Sequence, residues 1–343
     1  MGKLSDRKRI LIVNVNWLGD VLFSTPAIRG IRKAYPDVFI ASMIVPRVEE
    51  VLTENPNLNE LIIFDEEGEY QKIKAKLRFA ALLEEKKFDS VFLFHRSFTR
   101  TMVTYIAGIP ERIGYGTIKR AFLLTHKISP PKIPMHRVDY ISNIANSVGI
   151  ETDNTYCDFY ISQEDREYAQ KFLIDMGISN KDIVIVLNPG GNWLPKRWPL
   201  GNFARLADVL IKEFDLKVII SGAKSDLPLA DEITQMMTQK PIIACGELSL
   251  KQSAALFEKS TIVVSADTSP LHIAAAVGAR VIGLFGPTSP EITGPRGKGH
   301  IKIIQKDTNC KIPCYDQECS DYRCMKAISA RDVLEEIYKV IKP

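Results

Sequence analysis

Two doubly wound α/β domains in tandem are the fold class this sequence predicts, and three observations point to it. The chain has 343 residues, which at roughly 150 residues per domain leaves room for two. Its composition, 45% hydrophobic and 25% charged with 20 Gly and 19 Pro, is that of an ordinary soluble globular protein. Short β-branched runs alternate with amphipathic stretches from the first residues onward, the rhythm of parallel strands joined by crossover helices.

In the first half, Arg9–Val15, Val38–Ile44, Leu61–Phe64 and Ser90–Phe94 read as strands. Val21–Ala34, Tyr70–Glu85 and Thr99–Ile109 read as the helices between them, the second with Ile73, Leu77, Ala80, Ala81 and Leu83 on one face. The rhythm then breaks at a polar helical segment, ISQEDREYAQKFLIDMG, with Ser162 as its cap and Asp165 as a first-turn acid. A domain boundary fits just before it, giving domains 1–158 and 159–326 with a tail 327–343. Strands resume at Ile183–Leu187, Lys217–Ser221, Pro241–Ala244, Thr261–Ser265 and Val281–Phe285. Between the first two of these, Leu200, Phe203, Leu206, Leu210, Ile211 and Phe214 form a stripe of helical period. The second half repeats the architecture of the first without a visible sequence repeat. The chain closes with a helix at Ser329–Ile341, started by Ser329 and Asp332, whose apolar side of Val333, Leu334, Ile337 and Ile341 is expected to pack back on the first domain.

Charge and composition exclude several function classes. Forty-five Lys and Arg against 41 Asp and Glu leave a net charge of +4, too small a footprint for nucleic acid. The basic start runs into an apolar stretch that Asn14 and Asn16 interrupt, too short for a signal-peptide core, and nowhere do about eighteen apolar residues follow one another. The expected compartment is the cytoplasm. Cys157 and Cys245 are scattered, whereas Cys310, Cys314, Cys319 and Cys324 crowd together at a spacing loosely compatible with a structural zinc site. Reduced thiols or a local disulfide are the alternatives, the latter disfavoured in the cytosol.

Open α/β sheets bind ligands beyond the carboxyl ends of their strands, and two in tandem are expected to leave a cleft between the domains. Three strand-to-helix loops stand out. After the first strand, Gly19 allows a close turn and Asp20 sits at a helix start; it is either an ordinary first-turn acid or a general base facing a cleft. After the first strand of the second half, Gly190 and Gly191 expose backbone N–H groups, and Lys196 and Arg197 add charge, with Trp193 and Trp198 nearby. The pattern suits a phosphate, or else a solvated turn. In the third loop, Asp267-Thr268-Ser269-Pro270-Leu271-His272, Ser269 makes a good N-cap, and the Leu271 and His272 amides are expected to be free at a positive helix end. His272 taken alone is as readily structural as catalytic. Downstream, Gly286, Pro287 and Thr288 end the adjacent strand in a turn that can complete the wall of a diphosphate site. The sequence has no G-x-G-x-x-G after a strand, no P-loop, no H-E-x-x-H and no Asp-x-Asp pair. A metal-free mechanism, with leaving-group charge met by Lys196 and amides, is what these readings leave.

At these loops the chain resembles the bacterial lipopolysaccharide heptosyltransferases of glycosyltransferase family 9. The match lies in RILIVNVNWLGDVLFSTPAIRGIRKAYP, PGGNWLPKRWP and VVSADTSPLHIAAAVGARVIGLFGPTSP, in that order across nearly the whole chain. The cysteine-bearing tail is similar to that of the second-heptosyltransferase type. The resemblance implies a GT-B architecture of two Rossmann-like domains, the N-terminal one for the acceptor and the C-terminal one for the sugar nucleotide. It assigns Asp20 as base and Lys196 as phosphate ligand, and it places Asp267, Thr268, Ser269 and His272 at the donor with Gly190, Gly191, Gly286, Pro287 and Thr288. Two positions depart from the family pattern. Ser269-Pro270 stands where the family often has a glycine followed by another residue, and Lys251 stands where some members hold ribose through a carboxylate.

The activity implied is inverting transfer of a heptose or similar sugar from an ADP-sugar to a lipid-linked lipopolysaccharide core oligosaccharide, by a monomer without bound cofactor or metal that meets the membrane surface peripherally. Acceptors in this family are acidic, so Arg96 and Arg100, in a basic region that also holds Arg112, Lys119 and Arg120, are nominated as acceptor contacts; a solvated helix face is their alternative reading. A nucleotide-sugar epimerase or hydrolase of the same shape would instead act on donor alone. A non-catalytic sugar-nucleotide sensor would keep the donor loops and not depend on Asp20.

Overall fold

A computed structural model describes residues 8–342; the basic start at 1–7 and Pro343 lie outside the described residues. The chain divides between Asp158 and Phe159 into two units. In the first, β1 (Arg9–Val13), β2 (Phe39–Ile44), β3 (Glu60–Ile63), β4 (Ser90–Leu93), β5 (Glu111–Tyr115) and β6 (His126–Ile128) form one sheet in the order β3-β2-β1-β4-β5-β6. All pairings are parallel. In the second, β7 (Val184–Asn188), β8 (Lys217–Ile220), β9 (Ile242–Ile243), β10 (Ile262–Ala266), β11 (Val281–Phe285) and β12 (Ile301–Gln305) form a parallel sheet in the order β12-β11-β10-β7-β8-β9. Counted from its own first strand, the second sheet has the order of the first, so the two units share a topology without sharing a sequence.

The central strands are buried on both faces, which is why they read as continuous apolar runs: β4 and β10 are buried at every residue. Strand order reverses between β1 and β4, and again between β7 and β10. At such a switch the crossovers leave toward opposite sides and the carboxyl ends open a crevice. Asn188 lies opposite Ser265 in the register, so the loops that begin at Pro189 and Asp267 start side by side.

The structure differs from the sequence reading in four places. The helix expected over Val21–Ala34 is two helices, Leu18–Phe23 and Thr25–Ala34, because Ser24 turns its hydroxyl onto the Val21 carbonyl and Pro26 supplies no N–H to continue the ladder. Three strands were not anticipated. β5 carries a glycine, β6 has three partly exposed residues, and β12 is an edge strand with only Ile304 buried. The N-cap of the helix Ser269–Ala276 is Thr268, not Ser269. The closing helix, Ala330–Ile341, has the expected Ser329–Asp332 capping box, but its apolar stripe is not spent on the first unit. Val333 and Ile337 are buried in the second unit's core with Trp198, Phe203 and Leu206. The helix Leu200–Phe214 presents that open face directly, so no crossing is needed.

Candidate functional site

In the second unit, Asp267 leaves the end of β10 and becomes the hub of a buried cluster. Its Oδ1 meets His272 Nε2 at 3.0 Å, and its Oδ2 accepts from Thr293 Oγ1 at 3.0 Å and from Lys196 Nζ at 3.2 Å. Burial alone opposes ionisation of Asp267, yet the hydrogen bond and charge of His272 together with the Lys196 ammonium outweigh it and hold the carboxyl well below the usual carboxylate range. A fixed carboxylate of this kind aims its cation. Lys196 also donates to the Asp267 backbone carbonyl at 3.2 Å and lies 4.9 Å from the centre of the Trp193 ring. An ammonium has three donors, so after its bonds to the Asp267 carbonyl and carboxylate one N–H remains for an anion. Asp267 itself, buried and anionic, is suited to positioning Lys196 and His272 rather than to touching a diphosphate.

The glycines beside this cluster are there for close approach. A Cβ on Gly190 would stand 2.8 Å from the Asp226 carboxylate, and one on Gly222 would stand 2.8 Å from Asp226 Cβ. Asp226 accepts from the Ala223 N–H at 2.9 Å within the loop after β8, and its carboxylate lies close against Gly190 of the loop after β7. Gly191 faces Thr268, and Arg197 Nε donates to the Gly191 carbonyl at 2.8 Å. The two adjacent basic residues therefore divide their roles, with Arg197 bracing the loop and Lys196 turned to Asp267. Trp198 is a core residue, its Nε1 donating to the Ile328 carbonyl at 2.7 Å.

The expected free amides of Leu271 and His272 are not free. With Thr268 as N-cap, both return to its carbonyl, at 3.1 and 3.4 Å. Pro270 has no N–H, which leaves the Ser269 amide as the first-turn donor that does not return to the Thr268 carbonyl. Gly286, Pro287 and Thr288 pack against the segment 305–325. Their carbonyls accept from Gln305 Nε2, from the Cys314 N–H and from Gln305 Nε2 respectively, and a Cβ on Gly286 would collide with Met325 and lie 3.2 Å from Cys324 Sγ. Lys251 is buried, donating to the Tyr160 carbonyl with its ammonium 4.6 Å from the Phe159 ring centre.

In the first unit, Asp20 is half-buried in the first turn of the helix Leu18–Phe23, where Arg137 Nε approaches its Oδ1 at 3.2 Å. The preceding loop is held by Asn14, whose Nδ2 donates to Ser24 Oγ at 2.9 Å and whose carbonyl accepts from Arg100 Nη1 at 3.0 Å. This overturns the reading of Arg100 as an acceptor contact. It is fully buried, paired with Glu66 at 2.6 Å, and it braces the Asp20 loop from below. Arg96 is exposed, its guanidinium 5.9 Å from the Tyr140 ring; Arg137 lies 5.3 Å from the same ring. His95 Nδ1 accepts from the Ser97 N–H at 3.0 Å, and burial together with Arg100, Arg120 and Arg96 pushes its pKa down to about 4. Sequence reasoning missed Arg137, Thr293 and Asp226, each far in sequence from the group it serves and part of no local pattern. Cys310, Cys314, Cys319 and Cys324 line one cavity with Pro195 and Pro287 and are free thiols. Among the described residues no group of three or more His, Cys, Asp or Glu is arranged to hold a metal ion, and no helix is long and apolar enough to cross a membrane.

The sequence model of glycosyltransferase family 9 (heptosyltransferase) matches residues 76–324. Lipopolysaccharide heptosyltransferase 2 of Escherichia coli K12 is 26% identical to this chain, covering 96% of it and 97% of its own length. Among solved structures, a glycosyl transferase family 9 protein from Veillonella parvula is similar with a TM-score of 0.89 at 26% identity, covering 97% of both chains. The ADP-heptose lipopolysaccharide heptosyltransferase II of E. coli is similar with a TM-score of 0.80 at 25% identity, covering 97% of this chain and 98% of its own.

Proposed function

The chain belongs to glycosyltransferase family 9, the heptosyltransferase family, and from that premise we propose that it moves a heptose from ADP-heptose onto a lipid-linked lipopolysaccharide core oligosaccharide, with inversion at the anomeric carbon. The observation that carries the donor half is the Lys196–Asp267–His272 cluster at the switch point of the second sheet, a prearranged cation beside a helix start and two glycines. Similarity to the ADP-heptose enzyme of E. coli supports ADP as the nucleotide.

In this reading the acceptor binds the first unit and the Asp20 carboxylate takes the proton of its hydroxyl as that oxygen attacks the anomeric carbon. The bond from that carbon to the diphosphate breaks, and its electron pair leaves with the nucleoside diphosphate. Lys196 and the Ser269 amide meet the growing charge on the leaving oxygen, so the reaction needs no bound cofactor or metal. Arg137 holds the Asp20 carboxylate in place through its Nε, 3.2 Å from Oδ1, and Arg96 offers charge to an acidic acceptor. Activity is proposed to lie at the cytoplasmic face of the membrane, with the protein a monomer.

The test is transfer from ADP-heptose to core oligosaccharide by the Asp20→Ala variant. Turnover should fall by about 10²–10⁴, the loss typical of a removed general base, while ADP affinity stays within a factor of about two. Undiminished turnover in that variant removes Asp20 from the chemistry. Release of free sugar from donor alone at the same rate as transfer would instead favour a hydrolase.

A further inference from the structure

We propose that the first unit docks on an anionic lipid bilayer through the loops that follow β4, β5 and β6. The inference rests on the acceptor being lipid-linked and adds the surface that brings the enzyme to it. Parallel neighbours open their carboxyl ends on one rim, so these three loops lie side by side, and Gly116 N–H to Ile128 carbonyl joins the second to the third at 2.9 Å. They carry four large apolar side chains turned to solvent: Phe98 at 41%, Ile118 at 101%, Phe122 at 69% and Ile133 at 78% relative exposure. The Phe98 and Phe122 rings stand 6.5 Å apart. Single exposed apolar residues are ordinary, but four on one rim ringed by charge mark an interaction surface.

The charge identifies the partner. Residues 96–137 hold eight Lys and Arg and one acid, Glu111, against a net charge of +4 for the whole chain, so everything outside this stretch is net negative. Arg100 and Arg120 are buried, but Arg96, Lys119, Lys127 and Lys132 are exposed. The loops 95–98, 116–122 and 129–135 contain no Asp or Glu to repel an anionic surface. A second copy of this chain meeting it through the same rim would set like charges against each other. Ile118 stands wholly exposed between Thr117 and Lys119. Apolar tips that enter the headgroup layer while lysines reach phosphates match how peripheral segments bind bilayers. The geometry also serves transfer. Asp20 follows β1, next to β4, so the rim runs from Asp20 out to β6 over three strand spacings, roughly 15 Å. A sugar presented from a docked bilayer can reach that carboxylate.

The experiment is co-sedimentation of the full chain, without donor or acceptor, with phosphatidylethanolamine/phosphatidylglycerol vesicles and with phosphatidylcholine vesicles, alongside transfer to a delipidated, soluble core acceptor. Binding to the anionic vesicles alone is expected, weakening with salt. Lys119→Glu/Lys132→Glu should lower it by at least about 25-fold, fivefold per lysine lost. Ile118→Asp/Phe122→Asp should lower it tenfold or more while leaving soluble-acceptor transfer and the circular dichroism spectrum unchanged. No binding to anionic vesicles, equal binding to phosphatidylcholine, or wild-type binding by either variant overturns the proposal. So does a wild-type dimer that the apolar variant converts to monomer. Absence of transfer to the soluble acceptor speaks against the heptosyl reading instead, and the vesicle result is read independently of it.

Discussion

Asp267 and His95 show at single residues how each unit sets its charges. Asp267 binds both Lys196 and His272, so it should act on the donor only through them. Asp267→Asn should weaken ADP binding through Lys196, and its loss should not add to that of Lys196→Ala. Calorimetric ADP titrations of the two single variants and the double should give a coupling energy of about 0.5–3 kcal/mol; strictly additive losses would mean that the carboxylate does not aim the ammonium. His95 makes the complementary case. Its pKa falls from 6.5 to about 4 in the fold, mainly by burial and then by three arginines. The unfolded chain therefore takes up this proton first as pH drops, so the stability His95 contributes is complete above about pH 6.5 and is lost between there and about pH 4. His95→Asn keeps an acceptor for the Ser97 N–H but does not titrate. Urea midpoints measured at pH 7 and pH 5 should fall less for this variant than for the wild type, by under about 1.4 kcal/mol per pH unit given the ring's partial exposure.

At the scale of elements, the closing helix shows how an amphipathic pattern can be read correctly and its partner misjudged. Ser329, Asp332 and the Val333/Ile337 stripe announce the helix and its buried side, since those signals are local. The surface that receives the stripe is set by where Leu200–Phe214 lies, a long-range fact with no local signature. Ile337→Ala should accordingly cost the second unit about 2–5 kcal/mol, the usual range for such a truncation in a packed core, measured as a shift in its urea transition; a shift below about 0.5 kcal/mol would mean that the helix is not part of that core. The same contrast runs through the fold and the site. Strands buried on both faces, such as β4 and β10, were legible because burial demands apolar residues at every position. β6 and β12, partly exposed and short, were not. In the site, Gly190, Lys196 and Asp267 sit in strand-end loops whose composition betrays them, and the structure brings the lysine and the aspartate together. Arg100 carries the same chemistry as Arg96 and lies four residues away, yet one is buried against Glu66 and the other exposed. Arg96 precedes the Ser97 N-cap, whereas Arg100 lies inside the helix Phe98–Ile106 on its buried side, and charge pattern alone does not reveal that difference.

For the whole molecule, the division into two units, each with its own apolar core, has a thermodynamic consequence. All the residues proposed to hold the nucleotide lie in the second unit, whereas Asp20 lies in the first. A ligand that binds only the folded form stabilises what it binds, by about 2.7 kcal/mol at a hundred times its dissociation constant. The three tryptophans make that stabilisation visible. Trp17 is exposed in the first unit and Trp198 is buried in the second, with Trp193 beside Lys196. Trp17→Phe thus leaves a fluorescence signal that comes from the second unit alone. In that background, saturating ADP should shift the fluorescence-detected unfolding transition upward, Asp20→Ala should leave the shift intact, and Lys196→Ala should reduce it by most of its size. A shift lost with Asp20→Ala but kept with Lys196→Ala would place the nucleotide in the first unit and reverse the division of labour between the two sheets.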